Sequence, residues 1–284
     1  MAGMSPLLPL GLLCAVCLAA AEPAKLEPTN AAEAAAKETA AKKAAQDAAI
    51  DAKYFALVAK LSPAEQAWEK VLQENLGNGF YLPAHKRDKV AGRSTAWDFV
   101  HDDPKLPRVL LIGDSVSRGY TLPTRKALVG VANVHRAPAN CGPTASGLKN
   151  LDVWLGDGKW DLIHFNFGIH DRGTPLKDYS ARLEQIAERL QKTGAKVIWA
   201  TTTPIPDVPA QKQTAASIVE RNAAALAIMQ RRQIPVDDLF AAITPQLAKL
   251  QNPNDVHFTA EGYDFLGGQV AAAIRQALPA PAGK

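Results

Sequence analysis

The chain has 284 residues, 47% of them apolar and 21% charged, with 20 prolines and 19 glycines. That supports a sizeable core in one ordinary domain with an addition, and it excludes a disordered chain, a collagen or a low-complexity scaffold. The formal net charge of +4, from 32 basic against 28 acidic residues, is too mild to argue for nucleic acid, and three cysteines are too few for a disulfide framework.

Residues 1–21 carry no charged side chain. An apolar stretch from Leu7 to Ala20 leads to Ala19-Ala20-Ala21 just before Glu22. This reads as a secretory signal peptide cleaved after Ala21, so a secreted or periplasmic protein is expected. Cys14 and Cys17 lie in that stretch without the small-residue pattern of a lipoprotein anchor. Cleavage would leave Cys141 as the single cysteine, which cannot form an internal bridge. No 18-residue apolar run follows, so no membrane span is expected in the mature chain.

Residues 22–61 are rich in Ala, Lys and Glu. A helix is predicted from Asn30, with Asn30 as N-cap and Glu33 at the capping-box position. Larger apolar residues are absent until Ile50, Tyr54, Phe55, Leu57 and Val58, so its first half has little to bury. A solvated spacer is the leading reading of residues 30–61, and a helix-mediated protein contact is the alternative. Residues 62–104 begin with clearer signals. Ser62, Pro63 and Glu65 give a cap, a first-turn proline and a capping-box acid, and Trp68, Val71, Leu72 and Leu76 recur at helical spacing. Gly77 and Gly79 should end that helix. The segment Phe80 to Asp103 reads as irregular, and its aromatic residues suggest that it packs on the main domain.

Residues 105–279 read as that domain. Val109-Leu110-Leu111-Ile112 is a continuous apolar run, as in a strand buried on both faces. Further strands are predicted at Val131 to Arg136, Leu162 to Phe167, Lys196 to Thr201 and around Ile234-Pro235-Val236, where the proline favours an edge. Helices lie between them. Leu183, Ile186 and Leu190 share one face, a helix over Ile218 to Met229 carries Leu226 and Ile228, and a last helix runs from Ala260 to about Leu278. Alternating strands and helices predict an α/β fold with a parallel sheet covered on both faces, with ligands beyond the carboxyl ends of its strands.

Four segments at such ends could carry chemistry. Gly113-Asp114-Ser115 follows the first strand and presents a serine at a helix start, although the triplet is also a common turn. Asn140-Cys141-Gly142-Pro143-Thr144 follows the second, with a glycine that lets a backbone N–H approach a substrate oxygen. Asn166-Phe167-Gly168-Ile169-His170-Asp171 follows the third. Asn254-Asp255-Val256-His257-Phe258-Thr259 precedes the last helix, and its histidine could serve as a general base. No dinucleotide fingerprint or phosphate loop is present. His164 and His170 are too few ligands for a metal site, and Cys141, with no base paired to it, reads as a small buried filler. No metal or organic cofactor is expected.

The order and spacing of these four segments, over Arg108 to Ala277, resemble the sequence blocks of the SGNH (GDSL-type) hydrolases. The resemblance implies a flavodoxin-like three-layer α/β/α sandwich, here preceded by an N-terminal helical extension. It implies Ser115 as nucleophile, His257 as general base, and the Ser115 N–H, the Gly142 N–H and the side chain of His170 as oxyanion donors. Two positions depart from the family pattern. His170 stands where an Asn is usual, and Asn254 stands where an Asp three before the histidine is usual. Either Asp255 orients His257, the favoured assignment, or Asn254 does, or the site works as a weaker Ser–His dyad. The leading reading is a secreted serine esterase acting on O-acyl esters of a small molecule or polysaccharide, with a short, carbohydrate-linked acetyl favoured. The alternatives are an O-acyltransferase and a non-catalytic glycan-binding or envelope-scaffolding protein.

Overall fold

A computed structural model describes residues 30–278, except Asp157 and Lys212. The expected signal peptide, residues 22–29 and the side chain of Asn30 lie outside the described residues. The chain divides into two units between Gln46 and Asp47, inside the first helix, α1 (Asn30–Val58). In the first unit the described side chains of residues 33–46 are exposed, as their alanine- and lysine-rich composition dictates, with Glu38 and Lys42 paired one turn apart at 2.7 Å.

The second unit opens with the last turns of α1, where Tyr54 is buried while Phe55 and Leu57 face solvent. Helix α2 (Pro63–Asn75) has the expected capping box, Ser62 and Glu65 each satisfying the other's backbone N–H. The segment expected to be irregular is helical at its start. A π turn over Gly77–Tyr81 leads into α3 (Leu82–Val90), with Pro83 in its first turn and Gly77 in the left-handed region at φ 73°. Helix α2 thus ends before Gly77 as expected, and the turn that follows starts a further helix at once. Residues 91–107 are irregular, and Trp97 anchors them by donating from its indole to the Ala137 carbonyl at 3.2 Å.

The sheet is five-stranded and parallel, in the order β2 (Asn133–Arg136), β1 (Arg108–Ile112), β3 (Leu162–Phe165), β4 (Lys196–Ala200) and β5 (Val236–Asp237). This is the flavodoxin-like doubly wound order. Strands β2, β3 and β4 are shorter than the predicted runs, and β5 starts one residue after Pro235, whose missing N–H suits the edge. Alternate residues feed two cores. Leu110, Ile112, Ile163, Phe165 and Trp199 pack under α5 (Thr144–Leu155), α6 (Leu176–Lys192) and α7 (Ala215–Arg231). Val109, Leu111, Leu162 and Ile198 pack on the other face, under α4 (Ser115–Ala127), the short α8 (Leu239–Ile243) and α9 (Leu247–Leu250), and α10 (Ala260–Ala277). On α7 the buried apolar residues are Ile218, Ala225, Ile228 and Met229, while Leu226 is 37% exposed.

Candidate active site

Strand β1 delivers Ser115 to the carboxyl edge of the sheet. Asp114 caps α4, its carboxylate accepting from the Val116 N–H at 2.9 Å, so Ser115 is the first helical residue. Its N–H sits among the unpaired donors of a helix start. Arg136, fully buried at the end of β2, braces this turn by donating to the Ser117 hydroxyl, to the Gly113 carbonyl at 3.0 Å and to the Asp114 carbonyl at 2.9 Å. Burial pushes its guanidinium pKa down.

The turns after β1, β2 and β3 are tied to one another. The Cys141 N–H donates to the Gly113 carbonyl at 3.2 Å, and the Asn166 N–H donates to the Ile112 carbonyl at 3.0 Å. The Asp171 carboxylate accepts from the Thr144 N–H at 2.8 Å and from its hydroxyl at 2.7 Å. Arg221, buried on α7, holds the Asp171 and Thr174 carbonyls at 2.7 Å each. Gly142 adopts φ 66°, a conformation that favours glycine. Neither the Ser115 N–H nor the Gly142 N–H donates to another described group. His170 stands exposed on the short helical turn Ile169–Asp171. The Asn166 amide is turned inward, donating to the Ala200 carbonyl and the Thr202 hydroxyl at 2.8 and 3.1 Å.

The loop before α10 closes the site. An antiparallel bridge between Gln251 and Phe258 pinches it, Asn252 accepts from the Asp255 N–H, and the Thr259 hydroxyl caps α10. Within it Asn254 takes φ 56° and is exposed. That left-handed residue turns the chain so that Asp255, not Asn254, faces the histidine. The Asp255 carboxylate lies 2.8 Å from His257 Nδ1 and also accepts from the His257 N–H at 3.2 Å. His257 Nε2 lies 2.8 Å from the Ser115 hydroxyl, across 142 positions of chain. Partial burial alone would raise the Asp255 pKa, but the His257 ring and backbone donors outweigh it and hold the carboxyl below its usual range. Ser115 is only 7% exposed at the floor, whereas the His257 side chain is 36% exposed. A hydroxyl bonded to an imidazole whose far nitrogen is held by a carboxylate can lose its proton as it attacks a carbonyl.

The two histidines weighed as metal ligands are not brought together. His164 is buried on β3 against Asp237 at 2.9 Å, and His170 faces solvent. No group of three metal-ligating side chains occurs among the described residues. Cys141 is fully buried, and burial pushes its thiol up to about 12, so it stays protonated. Sequence reasoning missed Arg136 and Arg221. A lone arginine closing a predicted strand was the available signal for the first.

The model of the GDSL-like lipase/acylhydrolase family matches residues 111–265, more than half of the chain. The chain belongs to this family. The family membership makes it a serine ester hydrolase of the SGNH type. Among curated proteins none matches the sequence. Several solved structures share the fold. A lipase/acylhydrolase from Enterococcus faecalis is 22% identical with a TM-score of 0.55, covering 63% of this chain and 100% of its own. The acetyl xylan esterase AlAXEase is 15% identical with a TM-score of 0.52, covering 59% and 99%. The acetylxylan esterase Axe2 from Geobacillus stearothermophilus is 16% identical with a TM-score of 0.51, covering 59% and 94%. The family match lies within the second unit and leaves α1 to α3 outside it.

Proposed function

We propose that this GDSL-family enzyme hydrolyses O-acyl esters through Ser115, His257 and Asp255. The observation that carries the reading is the unbroken chain of two 2.8 Å contacts from the Ser115 hydroxyl through the His257 ring to the Asp255 carboxylate. Ser115 attacks the acyl carbon as His257 takes its proton. The tetrahedral oxyanion is received by the Ser115 and Gly142 N–H groups and by the His170 side chain, and His257 returns the proton to the leaving alcohol. Water, activated by the same imidazole, then releases the acid and frees Ser115.

A short acyl group on a carbohydrate is the favoured substrate, in keeping with the acetylxylan esterases among the structural neighbours. The apolar N-terminal stretch supports export to a secreted or periplasmic location, with residues 30–61 as a spacer or a protein contact. A non-catalytic relative drew support from the asparagine at position 254 and from the long alanine-rich helix, and the Asp255 contact weakens the first of these grounds. The partial exposure of His257 leaves water a route to the acyl-enzyme, which favours hydrolysis over transfer to another alcohol.

The test is turnover of a short-chain nitrophenyl ester by the wild type and by Ser115→Ala. We expect a loss of at least about a thousand-fold in kcat. Equal rates would remove the catalytic reading.

A further inference from the structure

Arg118 stands one turn after Ser115 on α4, so the two side chains lie on neighbouring positions of one helix face. Its guanidinium packs over the Tyr81 ring, 5.8 Å from the centroid. Its Nε is buried without a partner, and among the described residues its guanidinium makes no hydrogen bond or ion pair. An arginine left in that condition is unusual, because a half-buried cation normally finds a carboxylate.

Among the described residues, the surrounding acids form no ion pair with Arg118. Asp114 and Asp255 are the acids whose fields reach the tyrosines beside Arg118. Asp114 is committed to the start of α4, and Asp255 is committed to His257. A second guanidinium, Arg136, lies buried beneath the same turn, its hydrogen bonds going to two carbonyls and one hydroxyl. Two cations thus flank the nucleophile's turn without an ion pair of their own.

The platform under Arg118 belongs to the N-terminal block, outside the family match. Tyr81 is wedged edge-on against Trp97 at 5.7 Å and against Phe80 at 5.1 Å, and Phe80 is 62% exposed. Burial raises the Tyr81 pKa, and the opposing influences come from Arg118, the Ser115 hydroxyl and Arg136, so the ring lies near the catalytic serine. The face of Tyr81 orients the guanidinium plane, and the fork of its terminal nitrogens matches a planar carboxylate.

We propose that Arg118, seated on Tyr81, binds a carboxylate on the alcohol part of the ester, so that this enzyme selects acyl esters of acidic sugars over neutral ones. The inference rests on the esterase reading and assigns the π turn of the N-terminal block a part in choosing the substrate. A single available guanidinium argues for a carboxylate rather than a phosphate, since Arg136 has its donors turned to two backbone carbonyls and the Ser117 hydroxyl.

The test compares two acetyl esters that differ only in charge, 4-acetoxyphenylacetate and 4-acetoxyphenylacetamide. The methylene separates the charge from the ester, so their intrinsic reactivities are close. With the full chain, the wild type is expected to favour the anion by about ten-fold or more in kcat/KM, mainly through KM. The preference should fall toward one in Arg118→Met, persist in part in Arg118→Lys, and shrink as salt rises. A wild-type ratio near one, or an unchanged ratio in Arg118→Met, overturns the proposal. If the wild type cleaves neither ester, the esterase reading fails instead, and the subsite is then read by equilibrium binding of 4-hydroxyphenylacetate against its amide. Charge-selective binding lost in Arg118→Met upholds the subsite, and equal binding of the two compounds refutes it.

Discussion

Asn254 and Asp255 stand near the place that one aspartate takes in the usual family pattern, and only Asp255 contacts His257. The left-handed turn at Asn254 carries no hydrogen bond to the histidine, while the next residue carries the negative charge. In the serine-protease template, replacing the acid by its amide costs about 10⁴-fold. Here the Asp255 side chain is 46% exposed, and solvent weakens the pairing. Asp255→Ala is therefore expected to lower kcat/KM by about 10² to 10⁴, and Asn254→Ala by less than about ten-fold, with a stability cost of about 1 kcal/mol because alanine tolerates the left-handed region less well than asparagine. Steady-state kinetics on both variants decide the matter. Equal losses would return the orienting role to Asn254. Because Asp255 is held below the usual carboxylate range, it stays ionised at neutral pH, so loss of activity on mild acidification reports another group.

The elements that carry the site meet through very close packing. A Cβ on Gly119 would come within 2.0 Å of the Tyr263 ring, so α4 and α10 approach each other across a bare backbone. These helices begin at Ser115 and three residues after His257, and their approach sets the distance between the two. Gly119→Ala is expected to destabilise the fold by about 1–3 kcal/mol and to lower kcat more than it raises KM, because it pries the hydroxyl from the imidazole. Thermal unfolding with kinetics checks this, and a variant with wild-type melting and turnover would show that the contact yields without consequence. The brace from Arg136 acts at the same level, fixing the turn from a strand that contributes no reacting atom.

For the whole molecule, Glu69 is the main polar tie among the first three helices. Its buried carboxylate accepts from the Tyr54 hydroxyl at 2.7 Å, lies 2.9 Å from His85 Nε2, and pairs with Lys89. Burial would raise its pKa, but these partners prevail and bring it down to about 2. A carboxyl depressed on folding adds stability above its unfolded value of about 4.3, and that stability is lost as pH falls toward the folded value. Glu69→Gln should cost on the order of 3 kcal/mol at neutral pH, with the gap from wild type narrowing between about pH 5 and pH 2. Denaturant unfolding at several pH values measures it. A gap that stays flat over that window would show that the carboxylate's charge is not what ties the helices.

What could be read in advance was local in character. The run Val109 to Ile112, the capping box at Ser62 and the apolar spacing on α6 each report their element from neighbouring residues, and the spacing of the four blocks placed the family. Helix α3 was missed because the stop that Gly77 marks is followed at once by a π turn that carries the chain into a new helix. The sequence by itself determined the alternation of elements, the parallel sheet and the residue types that gather at its carboxyl edge, since these follow from periodicity and chain order. Only the tertiary structure decided that Asp255 rather than Asn254 meets His257, that Arg136 and Arg221 brace the turns, and that Arg118 is left unpaired beside Tyr81. Those outcomes depend on one backbone dihedral and on distances between residues far apart in the chain, and no local pattern encodes a distance.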